Sequence, residues 1–426
     1  MLFSRKLTKF ITLSFITATA LHATNGDHLI AVGAKARGMG GTSIGISHGA
    51  ESGLNNPSLI TSVKGTEIGF GGTVFMPTIE TGFGNSVVNQ SATLTTSDAK
   101  LSVMPEISIA HKINENWFIG IGMWGTAGMG VDYSQSGTDA MGNNINMHMV
   151  TSLQLMQFGV PIAYKTGGLS VGITPILQYG NLDINYDGAF ATGGNATTNT
   201  LPTGSNPAKN GAGLAQKLAF GYNLGISYNL SAYGIDGLTI GAIYKSSIEM
   251  EYKGQLSSAM AGFGVNGFSD ILEQPAEIGV GFSYVSGQHT IAFDYKKIKW
   301  GSAKGYKDFG WTDQDVYAVG YKYTQNNWSA SLGYNYGKTP ISEGTNPTYN
   351  TLNLLGFPAT AEQHYTIGGS YSFTKAFSVD LSYVYAPKTS QTFDISAFQG
   401  LSNWNPDSIT TDHTESSVSF QLVYKF

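Results

Sequence analysis

The stretch HTESSVSFQLVYKF, residues 413–426, ends the chain and decides the fold. Every second position from Val418 to Phe426 is apolar, and most of the positions between them are polar. A period of two places the apolar set on one face of a β-strand and the polar set on the other. A soluble sheet gives the same alternation, but it does not need a chain that ends on the strand itself in an aromatic residue. This ending, after a dozen similar strands, predicts the closing strand of a bacterial outer-membrane β-barrel.

The composition favours the same fold. Only 12% of the 426 residues are charged, while 12% are aromatic and 55 are glycine. An ordinary globular domain has about 25% charged residues, so roughly half of the usual surface charge is missing. No run of about 18 apolar residues occurs outside the extreme N-terminus, which excludes helical membrane spans. These features fit a barrel whose apolar band is spread over many alternating strands, and a secreted β-rich adhesin is the alternative.

Several functional classes are disfavoured by what the sequence lacks. The formal charge is −5 and no basic patch is present, so nucleic acid is not expected as a partner. The absence of cysteine excludes a disulfide framework and cysteine-based metal or nucleophile chemistry. The eight histidines show no HExxH or paired spacing. We therefore predict no enzyme, no metal and no cofactor.

Residues 1–23 have the pattern of a signal peptide. Arg5, Lys6 and Lys9 form a positive start, an apolar run follows from Phe10 to Ala20, and cleavage is expected after Ala23. Loss of the three basic residues takes the formal charge from −5 to −8. The pattern predicts export, and with the strand pattern it predicts the outer membrane of a Gram-negative bacterium.

From Thr66 onward the chain divides into alternating segments joined by polar, turn-rich stretches. Strands of about ten or more residues, apolar on one side and Gly, Ser or Asn on the other, match a barrel with lipid outside and a wet lumen. We predict fourteen strands, near 66–76, 101–112, 117–133, 150–165, 169–185, 217–230, 237–252, 275–286, 288–299, 312–325, 327–337, 361–373, 376–387 and 414–426.

The connections alternate between short and long. Barrels of this kind have short periplasmic turns and long external loops, so a first strand that enters from the periplasm places all seven long connections outside. Residues 24–65 do not alternate and are rich in Gly and Ala. We predict that they fold as a plug inside the lumen, and that residues 66–426 form the barrel.

The N-terminal segment carries a sequence resemblance to a known family. It has a Gly-rich start at Gly33–Gly45 and then an acidic or small stretch that reaches Asn56-Pro57-Ser58, with serine at the place of a usual alanine. Matches along the barrel are Val103–Glu106, Tyr244–Ser246, Gln274–Ala276 and Gly310–Asp313, although Thr312 replaces a basic residue. With these features the whole mature chain resembles the FadL/TodX-type outer-membrane transporters of long-chain fatty acids and other hydrophobic compounds.

The resemblance implies an all-β fold, a fourteen-stranded antiparallel transmembrane barrel closed by an N-terminal lumenal hatch with its gate at Asn56, Pro57 and Ser58. It also implies a third strand that is kinked inward and opens the wall. The corresponding segment, residues 120–130, has five glycines, and glycines permit bulges and local breaks in a ladder. We expect the lateral opening at Gly122, Gly125, Gly128 and Gly130. The alternative is that these glycines only make space for the hatch.

Ligand-binding residues are predicted in a loop and in the lumen. The loop 253–274 contains Met260, Phe263, Phe268 and Leu272, which would form an exposed patch for capture of an apolar ligand, with residues 186–216 beside it. The alternative is packing of this loop against its neighbour. By alternation, Lys245 and Lys296 point into the lumen as candidates for binding a carboxylate head group. The alternative for Lys296 is a salt bridge with Asp294 or Asp380.

Together these features predict passive uptake of fatty acids or other hydrophobic small molecules, with capture on external loops and lateral exit through the barrel wall. A general aqueous porin is the main rival, and a surface adhesin is another. We expect a monomer that contacts outer-membrane lipid and lipopolysaccharide and is assembled by the barrel-assembly machinery.

Overall fold

The computed structural model describes residues 25–84, 92–137, 145–187, 209–398 and 406–426, and the predicted signal peptide lies outside them. Within these residues fourteen long strands form one antiparallel sheet. In chain order they are β1 Thr66–Gly84, β2 Ser102–Lys112, β3 Trp117–Asp132, β4 Val150–Gly159 with Ile162–Thr166, β5 Leu169–Asp187, β6 Ala215–Asn229, β7 Leu238–Lys245, β8 Glu277–Ser286, β9 His289–Ile298, β10 Gln314–Gln325, β11 Trp328–Gly337, β12 Gln363–Ser372, β13 Phe377–Asp394 and β14 Ser408–Lys425. Two short segments, Thr95–Thr96 and Lys209–Gly211, extend the sheet at one rim.

The sheet closes on itself because its first and last strands pair. β1 and β14 are in register from Glu67 opposite Lys425 to Gly84 opposite Ser408. Closure pairs the two terminal strands, as a β-structure that spans a bilayer requires. The predicted fourteen-stranded antiparallel barrel is confirmed.

The C-terminal strand has the orientation that its alternation predicts. Val418, Phe420, Leu422 and Tyr424 are 40–46% exposed, whereas the inward-facing Ser417, Ser419 and Gln421 are at most 3% exposed. The apolar face is therefore turned to the outside of the barrel and the polar face to the lumen.

Connection lengths define the two ends of the barrel. The six short connections are residues 113–116, 167–168, 230–237, 287–288, 326–327 and 373–376, and the seven long ones lie at the opposite, outer end. Gly167, Gly287 and Asn326 start two-residue turns with φ of 51–57°, as hairpins of this length require. The predicted alternation of short and long connections is confirmed.

Some strands begin or end at residues other than those predicted, because the apolar alternation does not mark their ends. β1, β13 and β14 continue beyond the predicted limits at the outer end, because their ladders persist after the apolar alternation stops. β7 ends at Lys245 instead of residue 252, and only isolated bridges follow it. β4 is interrupted before Ile162 because Pro161 has no N–H for the ladder.

Helices are short. They are α1 Ala34–Arg37, α2 Ser52–Asn55, α3 Gln255–Gly262 and α4 Pro347–Thr351, with a π-helix at Leu352–Gly356 and 3₁₀ turns at Gly49–Glu51, Pro57–Ser62, Ile145–His148, Leu230–Tyr233, Trp300–Ser302, Lys307–Phe309 and Ser396–Phe398. None of the described helices has both the length and the apolar character needed to cross a membrane.

Residues 25–63, here called the lumenal segment, contact inward-facing side chains around the ring of strands. The contacts come from β2, β6, β9, β11 and β13, which a segment outside the barrel could not reach together. They are Glu106 to the amide of Gly33, Asn223 to the carbonyl of Leu54, Asp294 to the amide of Ser43, Asn335 to the carbonyl of Gly40, and Asp380 to Lys35.

Above the lumenal segment, the outer part of the lumen is filled by apolar side chains. We call this set the outer apolar cluster. It joins wall residues such as Trp124 and Leu153 with residues of the outer connections such as Met260, Trp300 and Leu355, all fully buried. The lumen of the described structure is therefore packed and not an open aqueous pore.

Candidate functional site

The barrel wall has a gap between β2 and β3. The ladder between these strands runs from Lys112 opposite Phe118 to Glu106 opposite Trp124 and then stops. β2 continues to pair with β1 as far as Ser102, so it is β3 that leaves the wall. At the outer end the two chains meet again, where the amide of Asp98 donates to the carbonyl of Asp132 at 2.8 Å. We call the intervening space the wall gap.

The outer half of β3 bends toward the lumen at a bulge. Its pairing with β4 shifts register between Gly125 and Ala127, which marks the bulge. The first half of β3 alternates between exposed and buried residues, but Ala127–Val131 are buried at every position. A strand in contact with lipid on one face would keep the alternation, so this half has left the lipid-facing wall.

The predicted opening residues divide into two sets. Gly125, Gly128 and Gly130 lie in the bent half of β3, beside the wall gap. Gly122 does not, because it still pairs with Ser108 of β2. A Cβ on Gly122 would lie 1.9 Å from the indole of Trp124, so this glycine makes room for a buried tryptophan. A Cβ on Gly125 would lie 3.0 Å from Cβ of Met104, at the edge of the gap.

Three residues of the lumenal segment close the wall gap, and we call Asp27–Leu29 the closing segment. The amide of Leu29 donates to the carbonyl of Thr126 at 3.1 Å, and the amide of Gly128 donates to the carbonyl of Asp27 at 3.0 Å. The closing segment thus takes the place of β2 along the bent half of β3.

The side chain of Leu29 completes the closure. It forms a small buried apolar cluster with Phe75 of β1 and Met104 of β2. The wall gap is therefore filled by side chains, and two backbone hydrogen bonds join the closing segment to β3.

Asp27 is held on its other side by the outer connections. Its carboxylate accepts hydrogen bonds from Nε2 of Gln274 at 3.2 Å and from the hydroxyl of Tyr306. Burial raises the pKa of Asp27, against the opposing effects of His28 and of these hydrogen bonds. Tyr306 packs edge-on against Trp300, whose ring also lies 5.0 Å from that of His28. The closing segment therefore links the wall gap to an aromatic group in the outer cluster.

The predicted gate residues Asn56, Pro57 and Ser58 lie against β5 and β6. Asn56 caps the 3₁₀ turn: its Oδ1 accepts from the amide of Ser58 at 3.1 Å, and its Nδ2 donates to the carbonyl of Ile44 at 2.8 Å. A Cβ on Gly225 of β6 would lie 2.0 Å from Oδ1 of Asn56. This motif anchors the lumenal segment to the wall, whereas the residues bonded across the wall gap are those of the closing segment.

Buried charges hold the lumenal segment in place. Lys35 pairs with Asp380 of β13 at 3.2 Å, and Arg37 donates to the hydroxyl of Ser417 at 3.0 Å. Oδ2 of Asp294 accepts from the amides of Ser43 and Ile44 at 2.6 and 2.9 Å. Both carboxylates thus bind the lumenal segment, and Asp294 also interacts electrostatically with Lys296.

Titratable groups of the lumenal segment have shifted pKa values. Burial raises the pKa of Glu51 well above its ordinary value of 4.5, with Lys35 opposing and neighbouring carboxylates adding to the rise. Burial lowers the pKa of His48 to about 3, and the charge of Lys322 adds to this. For Lys35 burial acts to lower the pKa, but Asp380 and Glu51 outweigh it and the net shift is upward. At neutral pH, His48 is therefore uncharged and Lys35 is charged.

The two lysines predicted to bind a head group line one cavity of about 60 Å³. Lys245 pairs with Glu277 at 3.2 Å, and Nζ of Lys296 donates to the carbonyl of Ile30 at 3.3 Å. The cavity also touches Leu29 of the closing segment and Thr126 of β3. Two lysines and one glutamate thus face a small space of mixed polar and apolar lining, directly behind the wall gap.

The residues predicted to capture a ligand do not form an exposed patch, because most of their surface is buried. Met260 is fully buried and Leu272 is 4% exposed, both within the outer apolar cluster. Phe263 is partly buried against Tyr186, with ring centroids 5.2 Å apart, and Phe268 lies 5.0 Å from Phe309. The loop packs against its neighbours in this conformation, as the alternative reading predicts. The adjoining loop residues 188–208 lie outside the described residues.

Comparison with known proteins agrees with this architecture. Residues 18–426 match the family described as outer membrane protein transport proteins (OMPP1/FadL/TodX). The chain belongs to the FadL/TodX family. Members of this family transport hydrophobic compounds across the outer membrane, so the chain is an outer-membrane transport protein.

Solved structures show the fold of this FadL/TodX-family protein. A FadL homologue of Pseudomonas aeruginosa is 13% identical, covers 94% of this chain and 100% of its own, and gives a TM-score of 0.69. The toluene transporter TbuX of Ralstonia pickettii is 16% identical, with coverages of 93% and 99% and a TM-score of 0.65. The toluene transporter TodX of Pseudomonas putida is 18% identical, with coverages of 95% and 100% and a TM-score of 0.66. No match was found among the curated protein sequences.

One element of this FadL/TodX-family barrel was missed from sequence. Residues 347–361, here called the lid, belong to the connection between β11 and β12 and turn back into the lumen. Residues 351–361 are buried at every position. Two signals were present in the predicted loop 338–360: the helix start Asn346-Pro347, where Asn346 caps the amide of Thr348 at 2.9 Å, and the apolar run Leu352–Phe357.

Proposed function

We propose that this protein takes up hydrophobic monocarboxylates of the long-chain fatty acid class and releases them sideways through the wall gap. The observation that supports the substrate class is the cavity that Lys245, Lys296 and Glu277 share behind the gap. Two lysines and one glutamate line this cavity, so the lining offers more cationic than anionic side chains to a carboxylate.

The surroundings of this cavity suit the rest of such a molecule. Leu54 and Ile248 line the cavity and also belong to the outer apolar cluster. A carboxylate between the lysines would therefore leave its alkyl chain among apolar side chains. Burial of each methylene contributes about 0.8 kcal/mol, so a long chain binds tightly and its release requires a change in the pocket.

The wall gap supports sideways release. The lumenal segment blocks the route toward the periplasm, because an ion pair between Lys35 and Asp380 and several hydrogen bonds hold it against the wall. The wall gap is closed by the closing segment and by Leu29, Phe75 and Met104. An apolar molecule that left there would enter the hydrocarbon of the outer membrane without crossing water, and a downhill gradient is sufficient to drive it.

The test compares charged and neutral substrates in one set of variants. Lys245→Met and Lys296→Met should weaken oleate binding by about tenfold or more, because a buried hydrogen-bonded charge pair contributes about 1.5–3 kcal/mol. Neither change should weaken binding of hexadecane. Lys322→Met is the matched control, since Lys322 lines other cavities of the lumen. Equal losses for oleate and hexadecane would contradict a head-group site.

A second candidate substrate class is a neutral aromatic hydrocarbon. The relatives TbuX and TodX are described as toluene transporters, and Glu277 already pairs with Lys245 at 3.2 Å. If Glu277 neutralises the cavity, toluene should compete with oleate, and the two lysine variants should bind toluene as well as the parent protein does.

The proposal includes no catalytic step. A hydrolase-like G-x-S-x-G spacing occurs at residues 41–45, but the hydroxyl of Ser43 donates to the carbonyl of Gly41 at 3.2 Å and its amide donates to Asp294. Ser43 thus has a structural role in the lumenal segment. We further propose that the protein acts as a monomer among lipid and lipopolysaccharide, after insertion by the barrel-assembly machinery.

A further inference from the structure

We propose that the lid occupies a binding site for an apolar chain in the outer lumen, and that a ligand enters by displacing it. The inference rests on the proposed function and identifies where the hydrocarbon part of the substrate first becomes buried. Leu354, Leu355 and Phe357 are the occupying side chains. The first two are fully buried and the third is 7% exposed.

The chemistry of the occupied space is that of a hydrocarbon site. The three lid side chains belong to the outer apolar cluster together with the wall residues Trp124 and Leu153. Their side chains contain about fifteen carbon atoms, which is close to the number in the alkyl chain of a long-chain fatty acid. Burial of that alkyl chain would replace the burial of the three lid side chains. The space that they fill therefore matches the proposed substrate in both polarity and size.

The lid is fixed to the barrel by hydrogen bonds that water can replace. The hydroxyl of Thr411 donates to the carbonyl of Leu354 at 2.9 Å, and the hydroxyl of Thr151 donates to the carbonyl of Gly356 at 2.5 Å. Each such bond contributes only about 1 kcal/mol net, because both partners can bind water when separated. The lumenal segment differs in having a charged anchor, the ion pair between Lys35 and Asp380.

The local backbone is also suited to detachment. The stretch 342–345, before the lid, is exposed, and the turn that inserts the leucines is a π-helix at Leu352–Gly356. π-Helical turns are rare and occur frequently at functional sites. The same turn contacts β3, so the lid lies over the bent strand that borders the wall gap.

The absence of cysteine allows a direct test in protein reconstituted in lipid nanodiscs. A single Leu355→Cys places a buried thiol on the lid, and a charged maleimide should label it slowly. Addition of oleate should raise the labelling rate at least tenfold, because the ligand expels the lid into water. Leu153→Cys is the matched control: it faces the same cluster from β4, and it should stay protected because the ligand replaces the lid against it.

A second variant tests the competition by affinity. Leu354→Ala with Leu355→Ala weakens the lid as a competitor, so oleate should bind at least about tenfold more tightly, since apparent affinity rises with the open fraction. Ile60→Ala removes a similar side chain from a separate buried apolar cluster, leaves the lid and the outer apolar cluster intact, and should give no such gain.

These experiments can refute the lid proposal without refuting the proposed function. Binding of radiolabelled oleate while the Leu355→Cys thiol stays protected would overturn the lid proposal and leave the proposed function standing. Equal acceleration of labelling at positions 355 and 153 would also overturn it, because the whole outer end would then open. Failure of the parent protein to bind either oleate or hexadecane would refute both.

Discussion

A disulfide between the closing segment and β3 should stop transport without disturbing the barrel. His28 and Ala127 face each other as a bridge pair, flanked by the hydrogen bonds from Leu29 to Thr126 and from Gly128 to Asp27. This arrangement is the non-hydrogen-bonded type of antiparallel pair, in which Cα atoms are about 4.5 Å apart. That separation lies within the range for a disulfide, about 4.4–6.8 Å, so His28→Cys with Ala127→Cys should oxidise readily.

The contacts of the closing segment give the free energy needed to open the wall gap in the absence of a disulfide. Separation of the closing segment from β3 breaks two backbone hydrogen bonds, each contributing about 1 kcal/mol net. Exposure of Leu29 adds about 2 kcal/mol. The total of about 4 kcal/mol corresponds to an open fraction of roughly one in a thousand, since each 1.4 kcal/mol is a factor of ten. Such a fraction permits passive uptake, whereas a covalent bond removes the open state.

The assay is uptake of radiolabelled oleate by cells or proteoliposomes that contain the double variant. Uptake should fall to background under oxidising conditions and return after reduction. Each single variant treated in the same way is one control. A second is Thr73→Cys with Ser419→Cys, which joins β1 to β14 where their hydroxyls are 2.8 Å apart and the wall is continuous. Normal uptake by the oxidised 28–127 variant would refute the reasoning that exit requires this separation.

Three further predictions concern the wall and the lumenal segment. Gly125→Leu should reduce uptake severalfold or more, because the leucine side chain would meet Met104 at the wall gap. Heat-modifiable migration on gels should show that the barrel is still folded. Unchanged uptake would exclude exit through the wall gap. Deletion of residues 25–60 should produce a steady conductance in planar bilayers, and unaltered conductance would show that this segment does not block the lumen. Because the pKa of Glu51 is raised, its folded form binds more protons than the unfolded form above pH 4.5, so docking of residues 25–63 should be strongest below that pH and weaken as pH rises toward the folded pKa. Glu51→Gln should remove this part of the pH dependence in hydrogen exchange at pH 5 and 8, and an identical dependence in the variant would assign it to other groups.

Contacts between segments that are far apart in sequence could be identified only from the tertiary structure. The lid illustrates this, since an apolar run such as Leu352–Phe357 in a loop is consistent with exposure, loop packing or insertion. The same holds for Met260 and Leu272, which the sequence places in an external loop and the fold buries. Lys296 faces the lumen as alternation requires, yet its acceptor, the carbonyl of Ile30, comes from a segment 266 residues earlier.

The sequence by itself determined the barrel. Alternation with period two, turn residues and connection lengths are local properties, and each strand such as Val418–Phe426 shows its lipid face without reference to any partner. Which part of the lumenal segment closes the wall was decided only in three dimensions. Asp27–Leu29 carries no motif, and it meets β3 because the bend at Gly125 leaves backbone groups of Thr126 and Gly128 without β2. Buried backbone groups require partners, and the partner within reach is a segment about a hundred residues away in sequence.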